Sequence, residues 1–188
     1  MISLSFREIL LSDAELIQSW RSKKRITNNM ATNITISLEA QKQWIKEVYH
    51  MHDYYHWLVI SNDKPIGYIC IKDINLLNQV TSWGFYIGDD QYLGIGGFIP
   101  PHFYNWVFSI MKIKEIKAYV FSELTDVIGL HKMQGYSLIP EENNVIIKDG
   151  DKKLVIAMSL KLNDWTKKKY QKFNSPFPIK NWSGSPQK

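Results

Sequence analysis

The sequence predicts an α/β (α+β) domain, a sheet flanked by helices, on three observations. Short runs of β-branched and aromatic residues recur, as in Ile66 to Ile71 and Ser82 to Ile87. Two early stretches space apolar residues at helical intervals behind a serine placed to cap. Mid-chain, Gln91-Tyr92-Leu93-Gly94-Ile95-Gly96-Gly97 separates a strand from an apolar stretch, Phe98 to Met111, long enough for a helix. A chain of 188 residues, 45% hydrophobic, suits one domain rather than two. Its expected bounds are 1–172. Residues 173–188 hold three Pro with Ser, Asn and Gly and read as an irregular tail.

The elements follow in order. Ile2 to Arg7 alternates apolar and polar residues, as an edge strand does. Ser12-Asp13-Ala14-Glu15 has the form of a capping box, and Leu16, Ile17 and Trp20 form the inner face of the helix behind it. Arg21-Ser22-Lys23-Lys24-Arg25 is a basic helix end. It either serves the helix dipole or forms an anion-binding arm with Arg21 aimed into a site. Thr27 to Thr35 reads as a loop, and the isolated Met30 plugs a core edge or lines a pocket. A second helix starts around Ile36 with Ser37 as cap, and Leu38, Gln41, Trp44, Ile45, Val48 and Tyr49 mark its stripe.

Trp57 to Ile60 and Ile66 to Ile71 form a hairpin around Ser61-Asn62-Asp63-Lys64-Pro65. Asp73 closes its second strand, and Ile74 to Val80 is a looser connection. Pro100 and Pro101 fit only a first helical turn, so the helix after the glycines starts late or is distorted there. Glu115 to Phe121 is a strand, and Thr125 to Gln134 a short helix stopped by Gly135. Val145 to Ile147 and Leu154 to Ser159 are strands joined by Lys148-Asp149-Gly150-Asp151. Asn163-Asp164-Trp165 starts a last helix whose Lys167-Lys168-Lys169 is a solvated face. No internal repeat is present.

Composition narrows the function. The net charge of +5 suits a polyanionic ligand and does not discriminate between a nucleotide and nucleic acid. The single cysteine, Cys70, excludes a disulfide framework, favours a cytosolic (cytoplasmic) setting, and sits in an apolar strand where a buried thiol is expected. Met1 to Leu11 lacks the features of a signal peptide, and no apolar run approaches the ~20 residues of a membrane span. His50, His52 and His56 lie where helix passes into strand and need not share a face, so no metal is expected.

Strand, glycine turn and helix in sequence make an anion site. Glycines leave backbone N–H groups uncovered, and the helix adds unpaired N–H groups and the positive end of its dipole. An ordinary strand-to-helix turn has the same local pattern, so the rest of the chain decides.

Gln91-x-x-Gly94-x-Gly96 resembles the diphosphate loop of the GCN5-related N-acetyltransferases (GNAT superfamily). The element order matches that family over roughly Ser3 to Trp165. Ile66-Gly67-Tyr68-Ile69, Trp83-Gly84-Phe85-Tyr86-Ile87-Gly88 and Gly129-Leu130-His131-Lys132-Met133-Gln134-Gly135-Tyr136 resemble its other motifs. A narrower resemblance joins Trp20-Arg21, Met30, Ile36-Ser37-Leu38-Glu39 and Trp44 to the sugar-nucleotide N-acetyltransferases of the pseudaminic acid pathway, which acetylate the 4-amino group of a UDP-linked amino sugar.

The resemblance implies a mixed, mostly antiparallel, splayed sheet and acetyl-CoA as co-substrate, without a metal. It implies acetyl-CoA contacts at Ile87, Gln91, Leu93, Gly94, Ile95, Gly96, Gly97 and Lys132, and acceptor contacts at Arg21, Met30, Gln41, Trp44 and Lys72. Tyr86 lies near the acetyl group, and His131 stands where the family places a proton donor to the leaving sulfur. Asp73, Glu123 or a water chain serves as base. The chain departs from the family at Ala31, Gln41 and Leu124. The implied partner is an amino-sugar nucleotide on the way to cell-surface polysaccharide, with neither membrane nor nucleic acid expected and a homodimer compatible.

Two rival readings stand beside it. One is an acetyltransferase for protein N-termini, polyamines or aminoglycosides. Polyamine and aminoglycoside sites need several carboxylates, whereas the early helices offer Arg21, Lys23, Lys24 and Arg25. The other is a CoA- or nucleic-acid-binding module without catalysis, against which the aromatics fall at core spacing rather than on a platform.

Overall fold

The structure is a computed structural model that describes residues 3–32, 37–165 and 167–179. Ile2, the stretch 33–36 at the start of the second predicted helix, and residues 180–188 of the tail lie outside the described residues. The chain runs β1 (Leu4–Glu8), α1 (Ala14–Arg21), α2 (Lys24–Thr27), α3 (Leu38–Tyr49), β2 (Tyr55–Ser61), β3 (Lys64–Asn75) and β4 (Val80–Ile87). Then come α4 (Pro100–Ser109), β5 (Glu115–Phe121), α5 (Thr125–Met133), β6 (Ser137–Leu138), β7 (Asn144–Lys148), β8 (Asp151–Lys161) and α6 (Lys167–Tyr170). The strands form one sheet in the order β1-β2-β3-β4-β5-β8-β6, with β7 beside β8. Every pairing is antiparallel except β4 with β5. Among the described residues no helix is long and apolar enough to cross a membrane.

Local chemistry accounts for most boundaries. The β2–β3 hairpin is tighter than the five-residue turn expected, because Ser61 pairs with Lys64. Its two turn residues, Asn62 and Asp63, take φ of 47° and 63°, a conformation their short polar side chains tolerate. Ser37 caps α3, its Oγ accepting the Ala40 N–H at 3.1 Å. Gln41, Ile45 and Val48 of the expected stripe are buried, while Tyr49, off that line at the helix end, is exposed.

At α1 the N-cap is Asp13 rather than Ser12, and its side chain does not cap the helix; Asp13 Oδ2 accepts the Leu10 N–H at 2.7 Å in the 3-10 turn before it. Asp13 is the stronger anchor because Arg7 grips it with two bonds of 2.9 Å.

The helix after the glycines starts at Pro100, with both prolines in its first turn. Between β4 and α4, Asp90–Phe98 forms 3-10 turns. Helix α4 is buried along Pro100 to Phe108. It packs on one face of the sheet with Trp57, Ile69, Trp83 and Ile116. Helices α1 to α3 cover the other face over Leu58, Tyr68 and Cys70.

The described part of the tail has no regular secondary structure but is not free. Phe177 stacks on Phe6 at 3.9 Å and meets Trp57 edge-on at 5.1 Å. The Trp57 indole N–H donates to the Pro178 carbonyl at 2.7 Å. The Ser175 N–H donates to His102 Nδ1 at 3.1 Å, and burial lowers the His102 pKa to about 4, which keeps that nitrogen an acceptor. A composition that reads as a loose tail thus carries one large aromatic that the core takes in.

Candidate active site

The sheet is split in its middle. Strand β4 pairs with β5 only through Val80–Glu115, Thr81–Ile116 and Ser82–Lys117. Beyond those pairs the rest of both strands runs unpaired with the other, and a gap opens toward the glycine turn. Gly88 donates its N–H to the Ile66 carbonyl at 2.8 Å, on the β3 side. Strand alternation then turns the backbone groups of Phe85 and Ile87 toward the gap.

The glycine turn closes the open end. Asp89 caps it, its Oδ1 accepting the Gln91 N–H at 3.0 Å, and pairs with Lys64 at 2.7 Å. The fold itself does not demand glycine there. A Cβ on Gly94 would meet nothing within 4 Å, and Cβ atoms on Gly96 and Gly97 would make only ordinary contacts at 3.9 and 3.7 Å. Gly88, one residue past β4, is the opposite case, because its Cβ would fall 2.0 Å from the Trp20 ring. Glycines that no protein atom requires, ahead of an apolar helix, suit a ligand that comes close to the backbone.

On the opposite face α1, α3 and the strands enclose an aromatic cluster. Tyr86 stacks on Tyr68 at 5.2 Å and meets Trp20 edge-on at 6.4 Å, while Trp44 meets Tyr54 edge-on at 5.5 Å. The Tyr54 and Tyr68 hydroxyls bond to each other at 3.0 Å. Met30 packs on the same cluster, and Gln41 is buried on α3. Among the described residues, the Tyr86 hydroxyl and Arg21 Nε are both buried without a partner. Burial pushes the Tyr86 pKa up while the Arg21 charge pulls it down, and the phenol stays protonated. The other end of the Arg21 guanidinium donates to Thr32 Oγ1 at 3.2 Å.

The comparisons with known proteins agree with this geometry. Residues 6–152 match the family described as Acetyltransferase (GNAT) domain. The chain belongs to that family. It is an N-acetyltransferase. Two curated relatives, both named acetyltransferase PseH from Campylobacter jejuni strains, are 24% identical over 155 residues and 25% identical over 145. The first match covers 80% of this chain and 96% of the relative, the second 77% and 90%. A solved structure of Vibrio cholerae spermidine N-acetyltransferase, in complex with CoA and spermine, superposes with a TM-score of 0.76 at 16% identity, covering 86% of this chain and 96% of that one. That likeness concerns the fold.

Within this GNAT domain the expected site residues divide. Arg21, Met30, Gln41, Trp44 and Tyr86 lie on the side of the sheet covered by α1 to α3, and Gln91 to Gly97 form the turn beside the buried Ile87. Lys72 is half-buried on β3, two residues past Cys70 on the same face. Lys132 is exposed on α5, and Leu124 precedes that helix without a capping bond. Asp73 is exposed where β4 and β5 stop pairing, and it accepts the Ser82 hydroxyl.

Three expectations need correction. Glu123 does not face the gap: its carboxylate lies 2.5 Å from Lys153 on β8, across β5 from β4, and that partner holds its pKa down. Lys23 and Arg25 are not free cations for a substrate, because Lys23 bonds the Gly88 carbonyl, Arg25 the Ile87 and Gly88 carbonyls, and both Asp90. His131 is poorly built as an acid. It is buried against Trp83 and Tyr136, and its Nδ1–H donates to the Val127 carbonyl at 2.8 Å. Burial lowers its pKa, with the Val127 bond opposing, so the neutral ring has no second proton to give.

Tyr54 and Tyr68 were missed. Tyr68 lies inside an expected strand and Tyr54 just before one, and no short-range spacing marks them as partners. An apolar cavity of about 280 Å³ lies further along, lined by Ile9, Ile45, Val48, Tyr54, His56 and Ile179. It does not reach the gap or the turn, so volume alone does not locate the chemistry. Among the described residues no three of His, Cys, Asp or Glu gather as metal ligands. His50 and His52 are exposed, while His56 is buried on β2 with its pKa lowered to about 4.

Proposed function

We propose that this N-acetyltransferase moves the acetyl group of acetyl-CoA to the amine of an amino-deoxy sugar carried on a nucleotide diphosphate. The observation that carries the reading is Arg21, whose buried Nε, like the Tyr86 hydroxyl, lacks a partner among the described residues. A buried donor without an acceptor is costly, and a guanidinium grips phosphate with two parallel bonds. Met30, Trp44 and Tyr86 add an apolar wall suited to a deoxy-sugar. The resemblance to pseudaminic acid pathway enzymes and the two PseH relatives favour the same acceptor. A polyamine suits this side less well, because Glu15, Glu39 and Glu47 on α1 and α3 are all exposed rather than turned toward the cluster.

Acetyl-CoA supplies the acetyl group as a thioester. The Leu93 to Gly97 backbone holds its diphosphate, and the gap between β4 and β5 takes its extended arm. The gap-facing N–H groups of Phe85 and Ile87 polarise the acetyl oxygen. Asp73 remains as the carboxylate able to take the amine proton. A thiol ionises near pH ~8.5, so the sulfur leaves without full protonation, and a hydrogen bond from Tyr86 is enough.

The test compares turnover of a free amino sugar with its nucleotide-linked form, in wild type and Arg21→Ala. Wild type should prefer the linked form by roughly 10- to 100-fold, the value of a charged hydrogen bond. The variant should lose most of that preference. Equal rates on both forms in wild type, or strong activity on spermidine, would reject the acceptor.

A further inference from the structure

The acceptor-side helices and the glycine turn are joined by a polar clamp that the reaction as described leaves without a role. Arg25 on α2 is its centre. Its Nε reaches Asp90 Oδ1 at 2.5 Å, its Nη1 donates to the Ile87 carbonyl at 2.7 Å, and its Nη2 to the Gly88 carbonyl at 3.0 Å. Lys23 adds Nζ bonds to the Gly88 carbonyl at 2.9 Å and to Asp90 Oδ2 at 2.8 Å. Asp90 is the first residue of the 3-10 turns that carry the glycines, and Ile87 is the last of β4.

The other end of the clamp lies in the acceptor wall. The Thr27 hydroxyl donates to the Arg21 and Lys23 carbonyls. The Met30 N–H donates to the Thr27 carbonyl at 3.2 Å, and Ile26 is buried beneath. Arg25 therefore sits between Arg21 and Met30 in a segment tied to itself, with its own side chain committed to the donor side. Trp20 reinforces the junction by filling the space beside Gly88.

A guanidinium that donates to two successive carbonyls and a carboxylate sets a direction as well as a distance, which an ammonium cannot do. Movement of the glycine turn displaces Asp90 and the two carbonyls, and Arg25 passes that displacement to the segment bearing Arg21 and Met30. We propose that Arg25 is a positioning residue which, with Lys23 and Asp90, couples the acetyl-CoA site to the acceptor wall of Arg21 and Met30. Seating of acetyl-CoA on the glycine turn then fixes the acceptor wall, and the acceptor in turn tightens the turn.

The inference rests on the acetyl-CoA reading of the turn, so the primary measurement uses acetyl-CoA alone. Calorimetric titrations would compare wild type with Arg25→Ala, Arg25→Lys, Asp90→Ala and the double alanine variant. Arg25→Ala and Asp90→Ala should each weaken acetyl-CoA on the order of tenfold, in the range of site-to-site coupling, though neither lies among Leu93 to Gly97. The double variant should be no weaker than the worse single, because both break one clamp. Arg25→Lys should recover part of the loss, keeping the ion pair without the fork. Steady-state rates should show raised KM for both substrates with kcat far less affected.

Unchanged acetyl-CoA affinity in both single variants, with only a lower melting temperature, would overturn the coupling and leave a structural brace. Should Arg25→Ala fail to fold, Asp90→Ala decides, since that carboxylate is 58% exposed. A wild type that does not bind acetyl-CoA at all would overturn the reading of the turn itself, and the coupling with it.

Discussion

On one face of β2, β3 and β4, Trp57, Ile69 and Trp83 pack on α4; on the other, Leu58, Tyr68 and Cys70 lie under α1, α2 and α3. The α4 side is the larger core, and several of its deep polar groups are partnered. Tyr104 donates to Gln134 Oε1 at 3.2 Å, Trp165 to Asn105 Oδ1 at 2.8 Å, and Trp57 to the Pro178 carbonyl. Among the described residues, the side under α1 to α3 leaves Arg21 Nε and the Tyr86 hydroxyl unpartnered. On the α4 side Trp83 Nε1 and the Tyr136 hydroxyl, beside His131, are unpartnered too, as is Ser61 Oγ on β2. The faces differ in what is left unmet rather than in how much: the α4 side carries most of the packing, whereas the unmet pair opposite it is a cation and a phenol, groups that an anionic, polar ligand can meet.

The largest expected effect tests the dry face. Phe103 is fully buried between Trp83, Trp106 and Phe177. Phe103→Ala should cost about 3–5 kcal/mol in urea unfolding, with KM values of the folded protein near wild type. A large rise in KM for either substrate at low urea would show that the two faces are not separable.

The turn is tested next, with a smaller effect. Gly96→Asp places a carboxylate where the diphosphate is proposed to sit, in space the protein leaves open. Acetyl-CoA affinity should fall at least roughly tenfold, the cost of a like charge in contact, while the unfolding midpoint hardly moves. Normal affinity by calorimetry would remove the turn from the donor site.

The smallest effect is expected at His131. His131→Phe keeps the ring between Trp83 and Tyr136, so single-turnover rates should stay within about threefold of wild type. A fall of ~100-fold or more, the usual value of a general acid, would restore the acid role. The same variant carries a pH signature. Burial lowers the folded-state pKa of His131, whereas the unfolded ring takes a proton near pH ~6.5. Below that pH the unfolded chain gains protons that the folded chain refuses, so wild-type stability falls with acidification. The Phe variant should lose less between pH 7 and pH 5, and an identical loss would mean that the ring already titrates freely.

The sequence by itself determined the local elements and the kinds of chemistry at hand. Ser61 to Pro65 marked a hairpin, which pairing in the structure tightens to two residues, while Ser37 marked a cap, Pro100-Pro101 a helix start, and Gln91 to Gly97 a bare backbone turn ahead of a helix. Each rests on steric or hydrogen-bonding preferences that act within a few residues. The acceptor candidates Arg21, Met30, Trp44 and Tyr86 were legible as residue types, and their meeting was implied by a family resemblance. Only the tertiary structure decided where partners lie far apart in the chain. The split between β4 and β5 is set by pairing of residues 35 apart, such as Val80 with Glu115, for which no local pattern exists. Lys23 and Arg25 looked like free cations because Asp90, Ile87 and Gly88 are more than sixty residues away. The tail looked loose because Phe6, the ring that Phe177 stacks on, stands at the other end of the chain. A charge or an aromatic ring states its demand locally, and the folded chain alone determines which group meets it.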